Sequence, residues 1–167
     1  RELDDESQRW LVSAYVCSKN IEKLQNGFVM YLGKVAEYQI RQKILEPFKT
    51  YCGSEGISGN GKFRDIEVFL DGGHSPSIVG FARFLKWVRK PVTDEDDPLV
   101  VAFRHWWTSF SGINSTERIL IDKKFLKRLN SFGEVRNKAA HIGDPDTHEL
   151  WSKVSVIIDN DKPGILF

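Results

Sequence analysis

The chain of 167 residues is 41% hydrophobic and 28% charged, the size and balance of one globular domain with enough apolar material for a proper core. A formal net charge of +1 argues against a uniformly basic coat, so any contact with RNA or DNA has to be local. Two cysteines, Cys17 and Cys52, in no CxxC or Cys/His cluster, argue against a disulfide framework or a zinc site, and no apolar run approaches the roughly 20 residues of a membrane span. The expectation is a soluble cytoplasmic domain, residues 1–167 as one unit, with no cofactor and no membrane association. The chain starts at Arg1 and its one methionine is Met30, so it is read as a fragment of a larger protein, with a further N-terminal domain or partner.

Strand signals are weak and helix-spaced apolar stripes recur from end to end, so the fold class is expected to be all-α, a bundle of about five to seven helices. An opening helix is predicted near Asp5 to Lys23, with Trp10, Leu11, Ala14, Tyr15 and Ile21 on an uneven apolar face. A longer one follows from about Gly27 to Ile44, carrying Phe28, Tyr31, Leu32, Val35, Tyr38, Gln39 and Ile40, until Pro47 breaks or kinks it. Residues 52–62, rich in glycine, read as a mobile loop. After a short apolar piece, Ile66 to Leu70, Ser75 and Pro76 introduce a helix with Ile78, Phe81, Leu85 and Val88 on one stripe, stopped by Pro91.

The acidic run Thr93 to Asp97 and Pro98 suit the start of the next helix, where free amides and the macrodipole favour negative charge. That helix holds Leu99, Val100, Phe103, Trp106, Trp107 and Phe110. A Trp-Trp pair can stack bases, but at helical spacing it more often belongs to a core or a subunit interface. The clearest pattern runs from about Ser115 to Ile142, capped by Ser115 or Thr116 and ended by Gly143. Asp144-Pro145-Asp146 opens a last helix with Glu149 as capping-box partner and Trp151, Val154, Ile157 and Ile158 inside.

The polar residues of that clearest helix carry the chemistry. Arg136, Asn137 and His141 lie within six residues, separated by Ala139 and Ala140, whose small side chains let another helix or a ligand approach. Asn137 and His141 are four apart and share a face; Arg136 and His141 are five apart, about 140° around an ideal helix. One helix does not bring that arginine and histidine together, whereas two copies packed about a two-fold axis offer both to a shared cleft. The plainer alternative is a helix end in which Arg136 pairs with a carboxylate and His141 caps the last carbonyls.

The run Arg136-Asn137-Lys138-Ala139-Ala140-His141 resembles the R-x4-6-H motif of the HEPN superfamily, and the likeness in detail covers about Leu126 to Gly143. It implies a small HEPN-like helical domain that dimerises through the motif helices. Many members are metal-independent endoribonucleases, hydrolases of toxin, antiviral defence or RNA-processing systems; others are non-catalytic dimerisation or nucleotide- and RNA-binding modules. The resemblance makes His141 the general acid or base, Arg136 the holder of the scissile phosphate, and Asn137 the group that orients ring or substrate. Attack by the ribose 2′-hydroxyl would leave a 2′,3′-cyclic phosphate and spare DNA.

Glu37, amid the apolar residues of the second helix, can reach Arg136 and hold its guanidinium; a solvent-facing carboxylate is the plainer reading of its position. Basic residues cluster at Arg83, Lys86, Arg89 and Lys90 and at Lys123, Lys124, Lys127 and Arg128, most simply as solvated faces. Lys124 and Lys127, with Lys138, also suit a basic track for RNA backbone contact. Gly56 to Lys62 fits GxxxxGK, but Phe63 stands where a phosphate loop needs Ser or Thr, so a surface loop is expected there. His141, Asp144, Asp146 and His148 match no standard zinc spacing, and no metal is assigned to them.

Overall fold

A computed structural model of the chain describes residues 3–19, 21–91, 93, 97–111 and 122–141, and for Ser18, residues 21–26, Phe110, Ser111 and His141 the backbone alone. The protein is all-α. Seven α-helices occur among the described residues: α1 (Asp5–Lys19), α2 (Ile21–Ile40), α3 (Glu46–Glu55), α4 (Arg64–Leu70), α5 (Ile78–Val88), α6 (Pro98–Ser111) and α7 (Lys123–His141). Among the described residues no helix is long and apolar enough to cross a membrane. The chain divides into two compact units, residues 1–40 with 128–167, and residues 41–127.

In the first unit α1 and α2 pack antiparallel. Asp4 starts α1 by accepting the backbone N–H of Ser7 at 2.9 Å, the side-chain cap that a helix N-terminus needs for its orphan donors. Gln39 near the end of α2 donates to the same carboxylate at 2.6 Å and to the Ser7 hydroxyl at 2.7 Å, tying the two helices at that end. Further along, the Trp10 and Tyr38 rings meet edge to face, 5.5 Å between centroids. At the far end Cys17 presses on Gly27 so closely that a Cβ there would lie 2.9 Å from its Sγ. Ser7, Ala14 and Cys17 therefore form the buried stripe of α1. Tyr15, expected on that stripe, is 60% exposed, and Val12 and Val16 on the opposite side are exposed as well.

The single helix expected to continue to Lys23 is instead two, with α1 ending at Lys19 and α2 already running from Ile21. Apolar spacing alone does not reveal such a break, because helical steps continue on both sides of it. α2 also stops at Ile40 rather than Ile44. A π-helical turn, Arg41–Leu45, follows it, and Pro47 sits in the first turn of α3, where its missing N–H is no loss. The proline begins a helix here.

The second unit is built on aromatic rings. Phe48 of α3, Phe84 of α5 and Phe103 of α6 are fully buried, with Phe103 4.9 Å from Phe48 and 5.2 Å from Phe84, both edge to face. Trp106 lies 5.3 Å from Phe103 and Trp107 stacks on it at 5.9 Å. The Trp-Trp pair thus joins this cluster. Residues Cys52–Glu55, expected in a loop, complete α3, which Gly56 closes in the left-handed conformation at φ 65°. The loop proper is 56–63, and Cys52 is buried at 3% exposure with its thiol pushed up to about 11 by burial.

Caps set the remaining starts. The Ser77 hydroxyl accepts from Gly80 N at 3.1 Å at the head of α5, and Asp97 accepts from Leu99 N at 2.8 Å at the head of α6. At α7 it is Asp122 that caps, accepting from Lys124 N at 2.9 Å and Phe125 N at 3.0 Å; those bonds hold its carboxyl below the usual range. The proposed caps Ser115 and Thr116, and the last helix from Asp144 to Ile158, lie outside the described residues. Truncating the central ring by Phe103→Ala is expected to lower stability by about 3 to 5 kcal/mol, measured by urea unfolding with far-UV circular dichroism.

Candidate functional site

α7 buries Leu129, Phe132, Val135 and Ala139, three or four residues apart, so one stripe faces inward. Arg136 and Asn137 sit half-buried at the margin of that stripe, whereas Lys138 and Ala140 are exposed. Burial of the stripe thereby aims Arg136 sideways toward α2. Its Nη2 donates to Glu37 Oε2 at 2.9 Å, and its Nη1 lies 3.4 Å from the Asn137 side-chain oxygen.

Gly33, four residues before Glu37, makes this approach possible. A Cβ at that position would stand 2.5 Å from the Arg136 Cγ, inside any tolerable contact. With hydrogen there instead, the arginine stem lies flat on the α2 backbone and delivers its guanidinium to the carboxylate one turn on. Gly33 and Glu37 form a bed and a clamp for one arginine. Sequence reading singled out Glu37 and passed over Gly33, although a glycine inside a helical pattern costs about 1 kcal/mol against alanine and signals a packing need.

The electrostatics of the clamp are instructive. Arg136 and Glu37 side chains keep 21% and 25% of their exposure. Burial pushes the Glu37 carboxyl above its ordinary value, and the opposing pull of the Arg136 charge, its hydrogen bond and the Lys34 charge does not bring it back. Desolvation therefore outweighs attraction, the usual balance when an ion pair is taken partly out of water. The Arg136 Nε is fully shielded and has no hydrogen-bond partner among the described residues, a further cost. What this pair supplies is a fixed guanidinium.

Asn137 stays beside Arg136. Lys124, Lys127 and Lys138 are all exposed, as a phosphate-contacting role requires. His141 is the last residue of α7; its side chain lies outside the described residues, as do Asp144, Asp146 and His148. Among the described residues no group of three or more His, Cys, Asp and Glu side chains gathers as metal ligands do. Comparison with protein-family models, curated proteins and solved structures returns no match for this chain.

Two outcomes follow from this geometry. Alanine in an open helix interior gains about 1 kcal/mol over glycine, but Gly33→Ala is expected to lose about 1 to 3 kcal/mol by overpacking against Arg136, read from chemical unfolding. Because the folded-state pKa of Glu37 is raised, its contribution favours the fold most at low pH and is lost as pH rises from about 4.5, the ordinary value of the group, through the folded value. Wild-type stability minus that of Glu37→Gln should accordingly decrease between pH 4 and pH 7, as measured by urea midpoints.

Proposed function

We propose that this chain is the HEPN-type, metal-independent endoribonuclease module of a larger cytoplasmic protein, acting as a homodimer through α7. The observation that carries the reading is the Arg136 guanidinium held over Gly33 by Glu37, on the helix that ends in His141. An arginine kept in place at an energetic cost is what a phosphate clamp needs, because a guanidinium pre-positioned before substrate arrives loses little freedom on binding. Glu37 occupies one side of the fork; the remaining N–H groups of Nη1 and Nη2 suit the oxygens of a scissile phosphate.

The chemistry is transesterification. The ribose 2′-oxygen forms a bond to phosphorus while His141 takes its proton; the bond from phosphorus to the 5′-oxygen breaks, and that oxygen leaves with a proton supplied by the second protomer's histidine. The products are a 2′,3′-cyclic phosphate and a 5′-hydroxyl. Arg136 balances charge on the phosphorane, and Asn137, four residues before His141, orients the imidazole. Since Arg136 and His141 stand about 140° apart on one helix, the complete set needs two copies of α7. Lys124, Lys127 and Lys138 extend phosphate contact along the strand.

A second reading, a non-catalytic RNA-binding or dimerisation module, is favoured by the same ion pair, because a carboxylate on the guanidinium reduces its charge for phosphate. One set of assays separates the two. In chelator, wild-type domain should cut RNA; Arg136→Ala should lose about 100- to 1,000-fold in rate, and His141→Ala at least as much. A single 2′-deoxy substitution at the scissile ribose should abolish cutting. RNA left intact by a folded, dimeric wild type would favour the binding module, and a monomer by light scattering would overturn the shared cleft.

A further inference from the structure

The second unit carries a cationic surface that neither helix capping nor the core explains. From Ile78 to Lys90 the chain has Arg83, Lys86, Arg89 and Lys90 and no acidic residue, and all four cations are exposed. Lys62, contributed by the loop before α4, joins them: its Nζ lies 3.7 Å from the centroid of the Trp87 ring, and Lys90 Nζ lies 3.3 Å from the same centroid. None of these five side chains is ion-paired with a described residue. Trp87 itself is only partly buried.

The ordinary reason for basic residues at the end of a helix is to satisfy its last carbonyls. Here Arg104 of α6 already does so, donating to the carbonyls of Val88 at 2.7 Å, Trp87 at 3.0 Å and Lys90 at 2.5 Å. The lysines and arginines of α5 are therefore surplus to that need. The loop that presents Lys62 is likewise fastened: Gly61 N donates to Glu67 at 2.8 Å, and Gly61 takes the left-handed φ of 93°. Glu67, one of the nearby carboxylates, is thus turned into the loop. Asp65 lies beside Gly80, in the first turn of α5 and not at the Trp87 end.

We infer that the Trp87 end of α5, with Lys62, Lys86, Lys90 and Arg83 around it, is a binding surface for single-stranded nucleic acid, and for RNA in particular. Two ammonium groups resting on one ring repel each other and are held there by its π-face. A polyanion offers them a better partner: the lysines swing to successive phosphates and uncover the indole for a base, the pairing of cationic groove and stacking platform that single strands use. A membrane surface would satisfy the charges and accept an indole, but it also calls for apolar side chains to insert beside that indole, and from Ile78 to Lys90 the exposed residues are all cations. This surface shares with the nuclease reading only the choice of RNA among single strands, and lies wholly within the second unit.

The test uses a fluorescein-labelled single-stranded 2′-O-methyl RNA, which binds through phosphates and bases but cannot be cut by 2′-hydroxyl attack. Anisotropy titrations over a range of salt should show binding by the wild-type domain. Removing two phosphate contacts in Lys62→Gln/Lys90→Gln should reduce the slope of log affinity against log salt by about 1.4, roughly 0.7 per contact. Trp87→Leu should weaken binding about tenfold with the slope unchanged, the signature of lost stacking. Should Trp87→Leu fail to fold by circular dichroism, the lysine pair decides, since both side chains are at the surface. An unchanged slope in the lysine pair overturns the proposal, as does capture by phosphatidylserine vesicles without RNA binding. Probe binding by a domain that never cuts RNA would sink the nuclease and leave this surface standing.

Discussion

Within the first unit, the constraint from which the site follows is the close passage of Arg136 over Gly33. Arg136 and Glu37 are 99 residues apart in sequence, and their pairing requires that α2 offer bare backbone where the arginine stem crosses. Everything polar at this place follows from that crossing: Glu37 meets the guanidinium one turn along, Asn137 flanks it, and Nε is sealed against the helix. A lysine in the same position would reach the carboxylate with a single flexible ammonium and fix no plane.

The second unit reaches order by other means. Its central phenylalanines fill space without polar atoms to satisfy, Phe103 meeting both Phe48 and Phe84 edge to face. An arginine again carries the main polar link: Arg104 closes the end of α5 through three carbonyls. Both units thus spend an arginine on holding another helix, yet with opposite results. Arg104 is consumed by backbone oxygens, whereas Arg136 keeps N–H groups directed away from its carboxylate.

How far the sequence announced this depends on which force set each feature. Burial periodicity is a property of sequence, so α5 and α6 fall where their apolar stripes put them, and Asp97 and Pro98 begin α6 as their chemistry requires; α7 follows its stripe but begins at Lys123 behind Asp122, not near Ser115. Helix boundaries inside an unbroken apolar pattern are not such a property, which is why the junctions at Lys19 and Ile40 were not legible. Glycine misled at Gly53, which has open space around it inside α3 and needs no special conformation. Gly56, which closes α3 in the left-handed conformation, was hidden inside the expected loop, and Gly33, the glycine that the arginine stem requires, was passed over. The Glu37 contact with Arg136 was within reach of reasoning, because a carboxylate among apolar neighbours asks for a partner. Nothing in the spacing of Lys62 and Trp87 signals that they meet, since only the fold of the loop around Glu67 brings them together.

The two cysteines are distributed one to a unit, Cys17 behind Gly27 in the first and Cys52 within α3 in the second. Each is buried, so neither sulfur is open to a reagent while its unit is closed, and the Cys52 thiol is further kept protonated by its surroundings. The chain therefore carries a pair of built-in clocks. The rate at which an alkylating agent marks each sulfur reports how often that unit opens on its own, and equal rates would mean that the two halves breathe as one.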